Sequence, residues 1–166
     1  MPVLGSVHAA YFFKSLSLLG EWQYGSAGYA PSATSPSTQV PITSYYVAGG
    51  YFLTGEQVER RTVVKPLRPF ILPKKGGFQG PGAWELVGRV SELHLGNQIF
   101  TSGAADPSLW SNSATTTELG MNWYWNEYIK IYMFWLHGQF GEPVQYRPGS
   151  LQKSADLFWL RFQLYF

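Results

Sequence analysis

The three histidines, His8, His94 and His137, lie too far apart for the close spacing of zinc ligands, and the chain has no cysteine. No metal centre, disulfide framework or thiol nucleophile is therefore expected. Serines are plentiful, but no G-x-S-x-G elbow accompanies them, and the scattered carboxylates lack the context of a glycosidase pair. The expectation is no catalytic residue and no cofactor. The residues with usable chemistry are charges whose position is set by alternation: Lys14, Arg89, Lys130 and Arg161 share one side of their segments with Glu21, Glu85 and Glu118. Lining a water-filled passage, fixed cations lower the barrier for anions. The mixed signs favour the plainer reading, ion pairs that brace a wall. Trp84, Trp123, Trp125 and Trp135 could stack on sugars; placed near strand ends on an apolar face, they read instead as an aromatic girdle at a membrane interface.

These side chains need elements to hold them, and the clearest is residues 155–166, ADLFWLRFQLYF. Phe158, Leu160, Phe162, Leu164 and Phe166 fall on one side, with Gln163, Arg161 and the ring NH of Trp159 on the other. Side chains alternate across a strand, so this is one strand with an oily and a partly polar face. Ending on Phe166, it looks like the closing strand of an outer-membrane β-barrel. The same pattern recurs upstream. Residues 7–14 and 17–24 form a hairpin with a tight turn near Ser15, and a third strand covers 44–55 with Val47, Gly49, Tyr51 and Leu53 on the oily side. Alternation returns at 83–95, 115–126 and 128–137, the last two separated by a turn around Asn126 and Glu127.

Residues 26–40, 96–113 and 138–153, rich in Gly, Ser, Pro or polar residues, read as long loops against the short turns near 15 and 126. Residues 56–82 hold six of the twelve basic residues and four prolines, and read as a long connection with room for one short strand at Thr62 to Lys65. Without aromatics interleaved on a folded platform, the basic stretch 60–75 is a solvated connection rather than a nucleic-acid surface.

Composition agrees with strands that hide their hydrophobicity in alternation. The chain has 7 Trp, 11 Tyr, 11 Phe and 18 Gly against 22 charged residues, and its mean hydropathy is near neutral. No run approaches the ~20 apolar residues of a helical membrane span. The net charge of +2 is too small to argue for an anionic partner surface. Met1 is not followed by a basic n-region and an apolar h-region, so no secretory signal peptide can be identified: either one lies upstream of this sequence or the chain is not exported.

YFLTGE at 51–56, GAWELVGRVSELHL at 82–95, LGMNWYWN at 119–126 and SADLFWLRFQLYF at 154–166 resemble the carboxyl-terminal part of the phosphate-selective porin O and P family. The resemblance implies an outer-membrane channel of a Gram-negative-type bacterium that passes small anions such as phosphate, a 16-stranded trimer in which constriction arginines and lysines set selectivity. It also implies that the barrel-assembly machinery reads the last strand, Phe158 to Phe166. The expected fold is all-β, a single partial porin domain over 1–166. Its antiparallel meander of about seven to eight strands would be the carboxyl-terminal part of a transmembrane β-barrel, closed by missing amino-terminal strands or a homo-oligomer. The expected partners are outer-membrane lipid and small anions, with no nucleic acid. A different class stays open: a soluble or surface β-sandwich that binds carbohydrate through its aromatics.

Overall fold

The computed structural model describes residues 3–30, 32, 34–60, 63–71 and 80–166. Seven strands follow one another in chain order: β1 Leu4–Phe13, β2 Leu16–Tyr29, β3 Thr38–Phe52, β4 Ala83–Leu95, β5 Ser113–Tyr124, β6 Ile129–Arg147 and β7 Ser150–Leu164. Each pairs antiparallel with the next, giving one sheet in the order β1 to β7. Among the described residues no second sheet packs on it, so the two-sheet sandwich is set aside. Among the described residues the only helix is α1, Gln98–Thr101, in the β4–β5 connection.

The turns follow from local chemistry. Lys14 adopts a φ of 53° in the β1–β2 turn. At the β5–β6 turn the Asn126 side chain accepts from the backbone NH groups of Tyr128 (2.9 Å) and Ile129 (3.0 Å), an Asx turn. Gly149, at φ 77°, lets Pro148–Gly149 join β6 to β7.

Three expectations need correction. Residues 138–153 are not a loop: β6 runs on to Arg147 and β7 starts at Ser150, with register irregularities between Gln139 and Val144 and between Gln145 and Arg147. Likewise β2 reaches Tyr29 and β3 starts at Thr38, so only 30–37 connect them. The reason is physical. These strand ends lie beyond the apolar band, where both faces meet water and alternation carries no signal; of the Gly and Pro residues that suggested loops, Gly141 and Pro143 sit in the β6 irregularity and Pro148 and Gly149 in the turn, whereas Gly25, Gly28 and Pro41 are paired strand. Third, Val63, Val64 and Lys65 are not in a strand, while Thr62 lies outside the described residues.

Residues paired across an antiparallel ladder point to the same face, so the register sorts every side chain. One hydrogen-bonded row joins Phe13, Leu16, Tyr51, Leu86, Met121, Met133 and Leu160, and the next joins Tyr11, Leu18, Gly49, Gly88, Leu119, Trp135 and Phe158. This is the apolar face. Away from the rim near Trp123, no described residue covers it, as Val7 (68 % exposed), Val47 (61 %) and Phe158 (77 %) show.

The apolar band does not follow the rows. In the row of Asp156 the residues of β1 to β4 are Ala9, Gly20, Val47 and Val90, but those of β5 to β7 are Thr117, His137 and Asp156. At the other edge, β1 ends its apolar set at Phe13, whereas on β7 the set runs from Leu160, in the same row, six residues further to Phe166. A slope of six residues over six strand steps, at about 3.3 Å per residue and 4.8 Å per strand, means strands tilted about 35° to the normal of the band. The ten residue steps from Asp156 to Phe166 then give the band a thickness of about 27 Å.

Candidate functional site

The opposite face carries the charges, and the structure shows what holds each. Arg89 faces Glu118 across the β4–β5 ladder, 3.9 Å away, and its guanidinium lies 4.4 Å from the Tyr46 ring centroid. Lys130 is buried between two tyrosines, its ammonium 4.5 Å from the Tyr124 ring and 4.1 Å from the Tyr132 ring. Arg161, exposed and opposite Tyr132, stands 5.4 Å from that ring. Lys14 departs from the expected side: it sits in the β1–β2 turn, where alternation no longer holds, over the ring of Phe13 of the apolar face at 5.3 Å. Glu85 accepts from Asn122 Nδ2 and from the Tyr124 hydroxyl, each at 2.8 Å. Glu21 pairs with His8 across the ladder and accepts from Gln23 at 2.8 Å.

The connection between β3 and β4 folds back as a strap along one rim of the sheet. Phe52, Ala83 and Tyr124 form the one compact cluster among the described residues, with Val58 and Val64 of the strap packed against it. Glu56 is 4 % exposed; it accepts from the Thr54 hydroxyl and from the Leu67 NH at 3.1 Å. The strap is pinned at both flanks. The Val58 NH donates to Lys14 O of the β1–β2 turn at 2.8 Å, and the Phe70 NH to Trp125 O of the β5–β6 turn at 2.7 Å. Between strap and sheet lies a cavity of about 520 Å³ lined in part by Phe12, Leu19, Arg60, Glu85, Tyr124 and Tyr165.

An exposed ion pair adds to the second pin: Lys65 Nζ lies 2.9 Å from Glu127 Oε2. Their hydrogen bond holds the Glu127 carboxyl below the usual carboxylate range and raises the Lys65 ammonium above its usual value. A depressed carboxyl contributes above its unfolded pKa and loses the contribution as pH falls through its folded value. Amide exchange at Phe70 should therefore quicken as pH is lowered below the usual carboxylate range, after correction for intrinsic exchange. In Glu127→Gln that extra acceleration should vanish; if it persists, the pair is not part of the pin.

Three of the four tryptophans assemble at this rim. Trp84 and Trp123, opposite each other, stack with centroids 4.9 Å apart, and both indole NH groups donate to Pro81 O, at 3.0 and 2.9 Å. Trp125 meets Trp123 edge-on at 5.3 Å, and Phe70 of the strap packs on both, at 5.3 Å from Trp123 and 5.2 Å from Trp125. Trp135 lies apart, toward the opposite edge of the band, where it donates to Asp156 at 2.9 Å. His137 reaches the same carboxylate at 2.9 Å. Sequence reasoning passed over Trp22, which stacks on Tyr24 (6.3 Å), and Tyr45, which donates to Glu92 at 2.7 Å, although both share the apolar parity. It also passed over the strap contacts of Glu56, Val58, Val64 and Phe70, for which a long-range fold-back leaves no local signal.

On β7, Phe158, Leu160, Phe162 and Leu164 line up opposite Trp135, Met133, Ile131 and Ile129, continuing the apolar face to the sheet edge. An all-antiparallel meander with a continuous apolar band on one face, Arg89, Lys130, Arg161 and their carboxylate partners on the other, and no second packed layer among the described residues defines a membrane β-barrel wall. The chain belongs to the phosphate-selective porin O and P family, whose sequence pattern matches residues 5–166. This is a family of channels rather than enzymes. No curated protein matches the chain significantly.

Proposed function

We propose that this chain forms part of the wall, and through its strap part of the periplasmic mouth, of an outer-membrane pore for small anions, phosphate among them. The inclined apolar band carries this reading. Its thickness of about 27 Å and strand tilt of about 35° match the ~25 Å band and 35–45° tilt of outer-membrane barrels. In this reading the face of Arg89, Lys130 and Arg161 lines the lumen. Because the membrane level crosses the rows obliquely, Arg89 on β4 and Arg161 on β7 stand at nearly equal depth though they occupy different rows. Arg89 is offset by Glu118, so Arg161 is the better placed of the two to attract a passing anion. Reading of β7 by the barrel-assembly machinery, and trimerisation, belong to the same proposal.

The chain has no cysteine, so single cysteines can be placed freely. Gln163→Cys beside Arg161, and Phe158→Cys on the apolar face, should be labelled in membrane-assembled protein with small anionic and cationic methanethiosulfonates. Rates are normalised to a free thiol. The expected result is reaction at 163 and none at 158, with the anionic reagent favoured several-fold at 163. Equal labelling at both positions would remove the lumen assignment. A preference for the cationic reagent would remove anion selectivity.

A further inference from the structure

The lumen-side face is not polar throughout. On β6 and β7 it carries a strip of rings: Trp159 stacks on Phe134 at 5.0 Å with 12° between planes, and on Tyr132 at 6.1 Å with 28°. Phe134 and Trp159 are directly paired, and the Phe134 ring folds over Gly120, its partner on β5, where a side chain would collide with it. The next row on this face pairs Leu136 with Leu157, the latter 54 % exposed. The neighbouring rings of Trp159 among the described residues belong to its own sheet, and Tyr132, Phe134 and Trp159 all stay partly exposed on this face.

Cationic charge whose ladder partners include no carboxylate gathers at one end of this strip; at the other end Glu118, which pairs with Arg89, faces Leu136 across the β5–β6 ladder. Arg161 and Lys130 both lie against Tyr132, whose hydroxyl bonds the Gln163 side-chain oxygen. Arg161 is two residues from Trp159 on the same strand and face, a separation of about 7 Å. A partly exposed aromatic stack with a guanidinium at its edge matches a solute built the same way, with a planar ring to stack and an anionic group to reach the arginine. A bare inorganic anion uses only half of it.

We propose that Tyr132, Phe134 and Trp159, with Arg161, form a subsite for small aromatic anions of the aryl phosphate or aryl carboxylate class. The assignment rests on the lumen reading above. It extends that reading from simple anions to ring-bearing ones, for which the strip offers a stacking surface along the wall.

The test uses the full chain, labelled with fluorotryptophan and refolded in detergent micelles. Fluorine resonances are followed during titration with phenyl phosphate, cyclohexyl phosphate and inorganic phosphate. Loss of one resonance in Trp159→Phe assigns the reporter. Phenyl phosphate should shift that resonance saturably, cyclohexyl phosphate should bind several-fold more weakly, and inorganic phosphate should leave it in place. Arg161→Gln should weaken phenyl phosphate about tenfold, as expected for loss of one charge-assisted contact. The titration of the parent chain decides by itself. No saturable shift at Trp159, or equal binding of the ring and non-ring phosphates, overturns the subsite. Ring-selective binding alongside equal cysteine labelling at 158 and 163 would keep the subsite and overturn the pore.

Discussion

Leu160→Arg is expected to destabilise the membrane-assembled protein by about 2–4 kcal/mol, and Phe13→Arg by no more than about 1 kcal/mol. The two residues occupy one hydrogen-bonded row, linked through Leu16, Tyr51, Leu86, Met121 and Met133, and both are more than half exposed. They differ only in where the inclined band places them. Leu160 lies six residues above the lower limit at Phe166, near mid-depth, whereas Phe13 is itself the lower limit on its strand. An arginine at mid-depth must carry its charge into hydrocarbon, while one at the rim reaches headgroups. Leu164→Arg, on the strand of Leu160 but only two residues above Phe166, should resemble Phe13→Arg. Denaturant unfolding from phospholipid vesicles measures all three. Equal costs for Leu160→Arg and Phe13→Arg would mean that the strands stand upright and that the band geometry is wrong.

The faces were legible in the sequence because hydrocarbon on one side and water on the other impose period two on every crossing. That constraint places Leu119, Met121 and Trp123 against Ile131, Met133 and Trp135, as the register does. It is silent wherever both sides meet the same medium. Hence Gln145 to Arg147 and Ser150 to Lys153, wet on both faces, read as loop although they belong to strands β6 and β7. The lumen side was legible only as charge. Alternation marked Arg89 and Arg161 but not the pairing of Arg89 with Glu118, which needs the β4–β5 register, nor the apolar strip, because Phe134 and Trp159 break the expected polarity of their face. The strap was legible as a proline-rich connection and no further. Its attachment depends on Val58 meeting Lys14 O and Phe70 meeting Trp125 O, contacts set by tertiary geometry and not by neighbours in the chain.

The purified 166-residue chain, as a demonstrated monomer, is expected to give no steady, uniform channels in planar bilayers. Among the described residues β1 and β7 each pair on one side only, so both present an unpaired backbone edge. Of the 15 residues of β7, on the order of half turn their NH and CO groups outward, and each unmet group in hydrocarbon costs several kcal/mol. Self-closure offers no escape. In a meander of seven strands the first and last run in the same direction, so joining β7 to β1 would require a parallel pair in an otherwise antiparallel barrel. A barrel of only about eight strands is in any case filled by its own side chains, and here these include Phe52, Tyr124, Phe134 and Trp159. A second copy oriented the same way in the membrane meets the same parity problem, since its edge strands run in that direction too. All-antiparallel closure needs an odd number of added strands, and nine would give the sixteen that the family resemblance implies. Co-refolding the chain with an odd set of partner strands should therefore yield uniform conductance where an even set does not. Uniform channels from the monomer alone would show that the edges close in a way the strand order does not allow.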